Sequence, residues 1–185
     1  MARNVAVLAG SLRKASFSRK LAKALIDLAP ASLALEIVEI GDLPLYNQDL
    51  DTDAPPPAWV AFRDAVMPVD GLLFVTPEYN RSVPGVLKNA IDVGSRPYGK
   101  SVWDGKPGAI VSVSPGAIGA FGANHHLRQS LVFLNVPAMQ QPEAYVGGAA
   151  TLFDEHDGIA NEATKTFLTG FMQAFAAWVE THHGH

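Results

Sequence analysis

Val5-Ala6-Val7-Leu8-Ala9-Gly10-Ser11-Leu12-Arg13-Lys14-Ala15-Ser16-Phe17-Ser18 turns an apolar run into a basic, hydroxyl-bearing loop in one short stretch. Residues 5–9 carry no polar side chain, as expected of a strand covered on both faces. Gly10 lets the backbone turn sharply where the strand ends. A helix is expected over about 18–29, with Leu21, Leu25 and Leu28 on one face and Pro30 as its stop. Ser11, Ser16, Ser18, Arg13 and Lys14 precede or open that helix. Arg19, Lys20 and Lys23 lie in its first half, and Asp27 comes only near its end. Cations near a helix N-terminus oppose the macrodipole by roughly 0.3–1 kcal/mol each where exposed. A docked phosphate would offset that repulsion, because free N–H groups and the positive dipole end seat an anion. The alternative is a solvated basic face with Ser18 as an ordinary N-cap. Five cations gathered here in an otherwise acidic chain favour the phosphate.

Outward from this stretch, strands and helices alternate. Strands are expected at Leu33–Ile40, Gly71–Thr76, Gly105–Val113 and, briefly, Val136–Gln140. Helices are expected over about 58–67, with Trp59, Phe62 and Val66 inward, and from Pro84 to Gly94. Two more are expected over 122–134, with Leu127, Leu131 and Leu134 on one face, and over 161–180. Phe167, Phe171 and Phe175 on that last helix read as core. Residues 41–57 read as a long connection, 141–160 as irregular, and the terminal Thr-His-His-Gly-His as a frayed tail. Five strands alternating with five helices imply an α/β doubly wound parallel sheet. No repeat or second domain is visible, so residues 1–185 are expected to form one domain.

Composition narrows the function. The 185 residues carry 14 basic and 18 acidic side chains, net −4, which gives no field for nucleic acid or anionic membrane. There is no cysteine, so no thiolate nucleophile, disulfide or Cys-based zinc site. The chain opens directly into a strand and has no apolar run of about 20 residues, so a cytoplasmic protein is expected. Walker-type, nucleophile-elbow and dinucleotide glycine patterns are absent. So are the acids that a phospho-acceptor receiver would need after its first and third strands. His125 and His126 are neighbours on a helix and point about 100° apart, poor geometry for one metal.

In a doubly wound sheet the ligand crevice lies outside the carboxyl ends of the strands. That rule gathers loops 10–18, 76–82 and 114–119 at one edge. A phosphate cradle beside two backbone-rich loops and an aromatic, Tyr79, suits a monophosphate with a flat polar head. Flavin mononucleotide (FMN) meets that description.

Gly-Ser-Leu-Arg-Lys-Ala-Ser-Phe-Ser (10–18), Pro-Glu-Tyr-Asn-Arg-Ser-Val-Pro-Gly-Val-Leu-Lys-Asn-Ala-Ile-Asp (77–92) and His-Leu-Arg-Gln-Ser-Leu (126–131) resemble the NADPH-dependent FMN reductase family. The branch of bacterial chromate and quinone reductases is the nearest in pattern. The resemblance implies a flavodoxin-like sheet of order 2-1-3-4-5, non-covalent FMN, NADH or NADPH as donor, and homodimers or tetramers. It implies that Ser11, Arg13, Ser16 and Ser18 hold the phosphate, that Pro77, Glu78, Tyr79 and Asn80 line the isoalloxazine, and that Ser114, Pro115, Gly116 and Gly119 edge its other side. Glu78 reads either as a base or as a loop acid whose backbone does the binding. The chain departs from the branch at His125, where an aromatic is usual, and at Gly122, where an arginine is usual. Both positions concern contacts between subunits near the flavin, and Glu143 is a candidate for either the site or the subunit interface.

The expected activity is two-electron reduction of quinones, with azo compounds and chromate or ferric species as further acceptors, by ping-pong kinetics. No side chain need act as acid or base. Arg96 is a candidate for reaching a neighbouring subunit's site, where it would steer an anionic acceptor or the pyridine-nucleotide phosphate; the alternative is a surface cation satisfying carbonyls at a helix C-terminus. The alternative function is a flavodoxin-type electron carrier without NAD(P)H activity of its own.

Overall fold

The computed structural model describes residues 1–183. Five parallel strands form one sheet: β1 (Arg3–Ala9), β2 (Leu33–Ile37), β3 (Gly71–Thr76), β4 (Gly108–Val113) and β5 (Ala144–Val146). Their order is β2-β1-β3-β4-β5, the flavodoxin-like arrangement. The helices are α1 (Phe17–Asp27), α2 (Pro57–Val66), α3 (Gly85–Gly94), α4 (Phe121–Phe133) and α5 (Glu162–His182).

Alternation along β1 explains why its sequence looks uniformly apolar. Val5 and Val7 face a core with Leu21 and Leu25 of α1 and Leu168, Phe171 and Phe175 of α5. Ala6 and Leu8 face the opposite core, with Trp59 and Phe62 of α2, Leu87 and Ile91 of α3, Trp103, and Leu127 and Leu131 of α4. With apolar helices on both faces, neither side of the strand tolerates a polar residue. No helix among the described residues is long and apolar enough to cross a membrane.

Several boundaries differ from expectation. The fifth strand is Ala144–Val146, paired with Val111–Val113, and not 136–140. Pro137 has no N–H to give a ladder, and segment 136–140 touches the sheet only at an isolated Gly108–Ala138 bridge. A three-residue strand is too short to show an alternation. Segment 141–160 therefore holds β5 and a short 3-10 turn, Ala149–Thr151. β2 ends at Ile37, and β4 starts at Gly108 because Gly105 turns with φ +71° ahead of it. Pro84 is the N-cap of α3 and lies outside its first turn. Phe171 and Phe175 are buried, but Phe167 is 41% exposed; a four-residue spacing drifts by about 40° around a helix. Thr181 and His182 are helical, and His183 Nδ1 lies 3.3 Å from the Asp70 carboxylate. Of the expected frayed tail, only Gly184 and His185 lie outside the described residues.

Candidate functional site

The chain leaves β1 toward β2 on one side and later returns to β3 on the other. A crevice forms where connections from neighbouring strands diverge in this way. Loops 10–16, 77–84 and 114–120 all leave carboxyl ends of strands there.

Gly10 is needed for closeness and not for a left-handed turn. A Cβ on it would lie 3.1 Å from Pro77 Cδ and 3.2 Å from Leu87 Cδ2. The N-cap of α1 is Ser16, whose Oγ accepts the Arg19 N–H at 3.1 Å, and not Ser18. Ser18 is buried beside it, the two hydroxyl oxygens 3.2 Å apart. Ser11 Oγ accepts the Arg13 N–H at 3.4 Å. The five-cation cluster is thinner than its sequence. Arg19 pairs with Glu39, past the end of β2, and Lys20 with Asp157. Among the described residues, Arg13, Lys14 and Lys23 have no carboxylate partner and are exposed, and Lys23 lies two turns into α1. Arg13 and Lys14, which precede the helix, remain for an anion with the first N–H groups of α1.

Loop 77–82 folds back on itself. Tyr79 N–H donates to Ser82 O at 3.1 Å and Ser82 N–H to Tyr79 O at 2.9 Å. Asn80 and Arg81 form the tip, both left-handed, at φ +51° and +65°. Glu78 turns inward: its Oε2 accepts the Ala123 N–H at 3.1 Å, capping the first turn of α4. This matters because Ala120, the N-cap of α4, provides no side-chain cap of its own. A Cβ at Gly122 would lie 2.8 Å from Arg81 O and 2.9 Å from Glu78 Oε2. The arginine usual in the related branch would therefore need this turn to move.

Loop 114–120 is held from below by a polar network that sequence reasoning missed. Fully buried Ser112 donates its hydroxyl to Gly119 O at 2.7 Å, and Asn124 Nδ2 donates to Ser112 Oγ at 3.3 Å. Arg128 Nε donates to Asn124 Oδ1 at 3.2 Å. The Asn124–Arg128 spacing of one helical turn was the available signal. Gly119 is left-handed, at φ +57°, and a Cβ there would sit 2.4 Å from the Tyr145 carbonyl carbon.

The three loops enclose a cleft of about 110 Å³ lined by eight of the expected residues: Ser11, Arg13, Ser18, Pro77, Glu78, Tyr79, Ser114 and Pro115. Phe17 and Val113 complete it. Ser16 stands behind Ser18 as the cap, Asn80 is at the loop tip, and Gly116 and Gly119 shape the third loop without lining the cleft. An adjoining cleft of about 370 Å³ shares Ser11, Arg13 and Tyr79 and adds Leu12, Pro84 and Val86. A larger concavity, about 770 Å³, lies between β2 and α2 and contains no residue of the three loops. Its lining is mainly aliphatic, so the chemistry favours the smaller clefts.

His125 and His126 do diverge: His125 Nε2 lies 3.1 Å from Tyr145 OH, and His126 Nδ1 lies 3.0 Å from Ser82 Oγ. Burial, and then the Glu143 carboxylate, push the Tyr145 phenol up to about 12. Among the described residues no cluster suits a metal ion. Arg96 follows α3, which runs from the loops toward the amino edge of the sheet. It is therefore not part of this cleft, and its guanidinium lies 6.0 Å from the Tyr98 ring centre. The Ser95 hydroxyl, not the Arg96 guanidinium, bonds the helix end, donating to Asp92 O at 2.8 Å; Arg96 contributes its backbone N–H, to Val93 O at 3.4 Å.

Comparison with known proteins gives a consistent picture. The profile of the NADPH-dependent FMN reductase family matches residues 3–151. A quinone reductase of Pseudomonas putida is 66% identical over 177 residues, 96% of this chain and 95% of the relative. A 2-hydroxy-1,4-benzoquinone reductase of a Burkholderia species is 51% identical over 179 residues, 97% of each chain. Among solved structures, the flavoenzyme NAD(P)H:acceptor oxidoreductase FerB of Paracoccus denitrificans superposes with TM-score 0.92 at 44% identity, covering 98% of this chain and 100% of that one.

Proposed function

The chain belongs to the NADPH-dependent FMN reductase family, and from that premise we propose that it is an FMN-dependent NAD(P)H:quinone oxidoreductase. The observation that carries this is the cleft: two serine hydroxyls (Ser11 and Ser18), an unpaired arginine and a helix N-terminus at one end, and a slot between Pro77-Tyr79 and Ser114-Pro115 at the other. The donor set suits a phosphate and the slot suits a flat ring, so the residues present fit FMN.

When bound, FMN supplies the two-electron relay between reduced pyridine nucleotide and quinone. The chain supplies binding and shape. Arg13, Ser11 and Ser18 take the phosphate at the α1 N-terminus, with Ser16 fixing the first turn behind them. Pro77, Glu78 and Tyr79 form one wall of the ring slot, largely through backbone, with Asn80 at the tip of the same loop. Ser114 and Pro115 form the other, on a loop shaped by Gly116 and Gly119 and supported by Ser112 and Asn124. The Glu78 carboxylate is occupied by Ala123 N–H and works as a helix cap in preference to a base. No side chain in the cleft needs to move a proton.

The open mouth lets donor and acceptor use the same place in turn, so ping-pong kinetics are expected. It also admits acceptors other than quinones, among them azo compounds and chromate or ferric species. NADH and NADPH are both within the proposal. We further propose that residues 1–185 act as one FMN-binding domain, that the chain forms a homodimer with a tetramer as the larger alternative, and that it works in the cytoplasm, where reduced pyridine nucleotides are supplied. A flavodoxin-type electron carrier shares the fold but draws no support from the relatives.

Anaerobic stopped-flow on FMN-loaded protein tests the reading. Rapid bleaching of flavin absorbance by NADH or NADPH, then recovery on mixing with a quinone, is expected. Bound flavin that neither nucleotide bleaches would overturn it.

A further inference from the structure

The turn at Asn80-Arg81 is built in a way its own stability does not require. It is a two-residue hairpin loop closed by the paired Tyr79–Ser82 hydrogen bonds, with both tip residues left-handed. Such loops favour Asn-Gly, because glycine alone takes the second position without a Cβ penalty. Here that position holds Arg81. Its side chain is 74% exposed, and its one ion pair is a loose 3.6 Å contact with Glu78. Glu78 is itself 12% exposed, and its other oxygen is taken by Ala123 N–H. Packing therefore does not explain an arginine here. Strain retained beside a cleft without a packing return points to function.

We propose that Arg81 is a specificity-determining residue that favours anionic acceptors, quinones bearing an ionised hydroxyl, over neutral quinones. This rests on the quinone reductase reading. The N-terminal turn of α4 already bonds the Glu78 carboxylate, so most of the Arg81 donors remain free, on a guanidinium 3.6 Å from a residue that lines the cleft. A planar guanidinium matches two adjacent oxygens. An ionised hydroxyl beside a quinone carbonyl presents that pair. Arg13 and Lys14 stand on the opposite loop, where the phosphate accounts for them.

The test compares kcat/KM of the FMN-loaded enzyme for a hydroxynaphthoquinone and for its unsubstituted parent, at low salt. It is run on the parent enzyme and on Arg81→Gly and Arg81→Lys. Comparing the anionic-to-neutral ratio between variant and parent enzyme cancels the difference in reduction potential between the two quinones. In Arg81→Gly the ratio should fall about tenfold, chiefly through KM for the anion. Arg81→Lys should recover part of it. Arg81→Gly should keep its flavin and melt no lower than the parent, since glycine relieves the turn. An unchanged ratio would overturn the proposal, as would a parallel loss on both quinones with a lowered melting temperature or lost FMN. A parent enzyme that turns over neither quinone would instead remove the reductase reading, and this inference with it.

Discussion

Replacing Glu78 separates its two possible roles. Glu78→Ala removes the acceptor for Ala123 N–H at a helix start that has no other side-chain cap. A hydrogen bond to a charged group contributes about 1.5–3 kcal/mol, and a carboxylate at a helix N-terminus roughly 0.3–1 kcal/mol through the dipole. These overlap, so a loss of about 2 kcal/mol is expected, or about 4–8 °C in Tm for a chain of this size. Glu78→Gln keeps an amide oxygen for the same N–H and loses only the charge, so it should cost about 0.5–1 kcal/mol. If Glu78 were instead a general base, the Gln variant would lose about 100-fold or more in kcat. Thermal melts of the FMN-loaded proteins and steady-state NADH:quinone kinetics give both numbers. A Gln variant with parental Tm and kcat down a hundredfold would refute the capping argument, as would an Ala variant with unchanged Tm.

Arg13→Ala should weaken FMN binding by about 10- to 100-fold, the value of one charge-assisted phosphate contact. Fluorescence titration of FMN into apoprotein reads this, and an unchanged Kd would reject the phosphate role. Asn124→Ala leaves buried Ser112 and the Arg128 guanidinium short of a partner and should cost about 2–3 kcal/mol in urea unfolding; a loss under about 0.5 kcal/mol would show that the network does not hold the third loop. Acid should destabilise the fold through Glu39, whose carboxyl the Arg19 guanidinium holds below the usual carboxylate range. Because the folded value lies below the unfolded one, this stabilisation is complete above the unfolded carboxylate range and is lost as pH falls through the folded value. Glu39→Gln should flatten the acid limb of the stability profile, and a limb identical to the parent's would sink the assignment.

The alternation of apolar runs with amphipathic helices, and the positions of the three loops, were legible from the chain because local periodicity and turn chemistry express them. So were the hydroxyls and cations before α1, since a helix N-terminus is a local feature. β5 was misplaced because three residues carry no readable period, and Pro137 excludes the more apolar segment only once its partner at Gly108 is known. The phosphate cluster kept Arg13 and lost Arg19 and Lys20 because their partners, Glu39 and Asp157, are distant in sequence. Glu78 looked like a free acid until α4 was packed against its loop. The sequence by itself determined the architecture and which edge of the sheet gathers the three candidate loops, because those follow from patterns within each segment. Only the tertiary structure decided which charges are free, which serine caps α1 and what Glu78 does. Each of those depends on which far segment supplies the opposing hydrogen bond or charge.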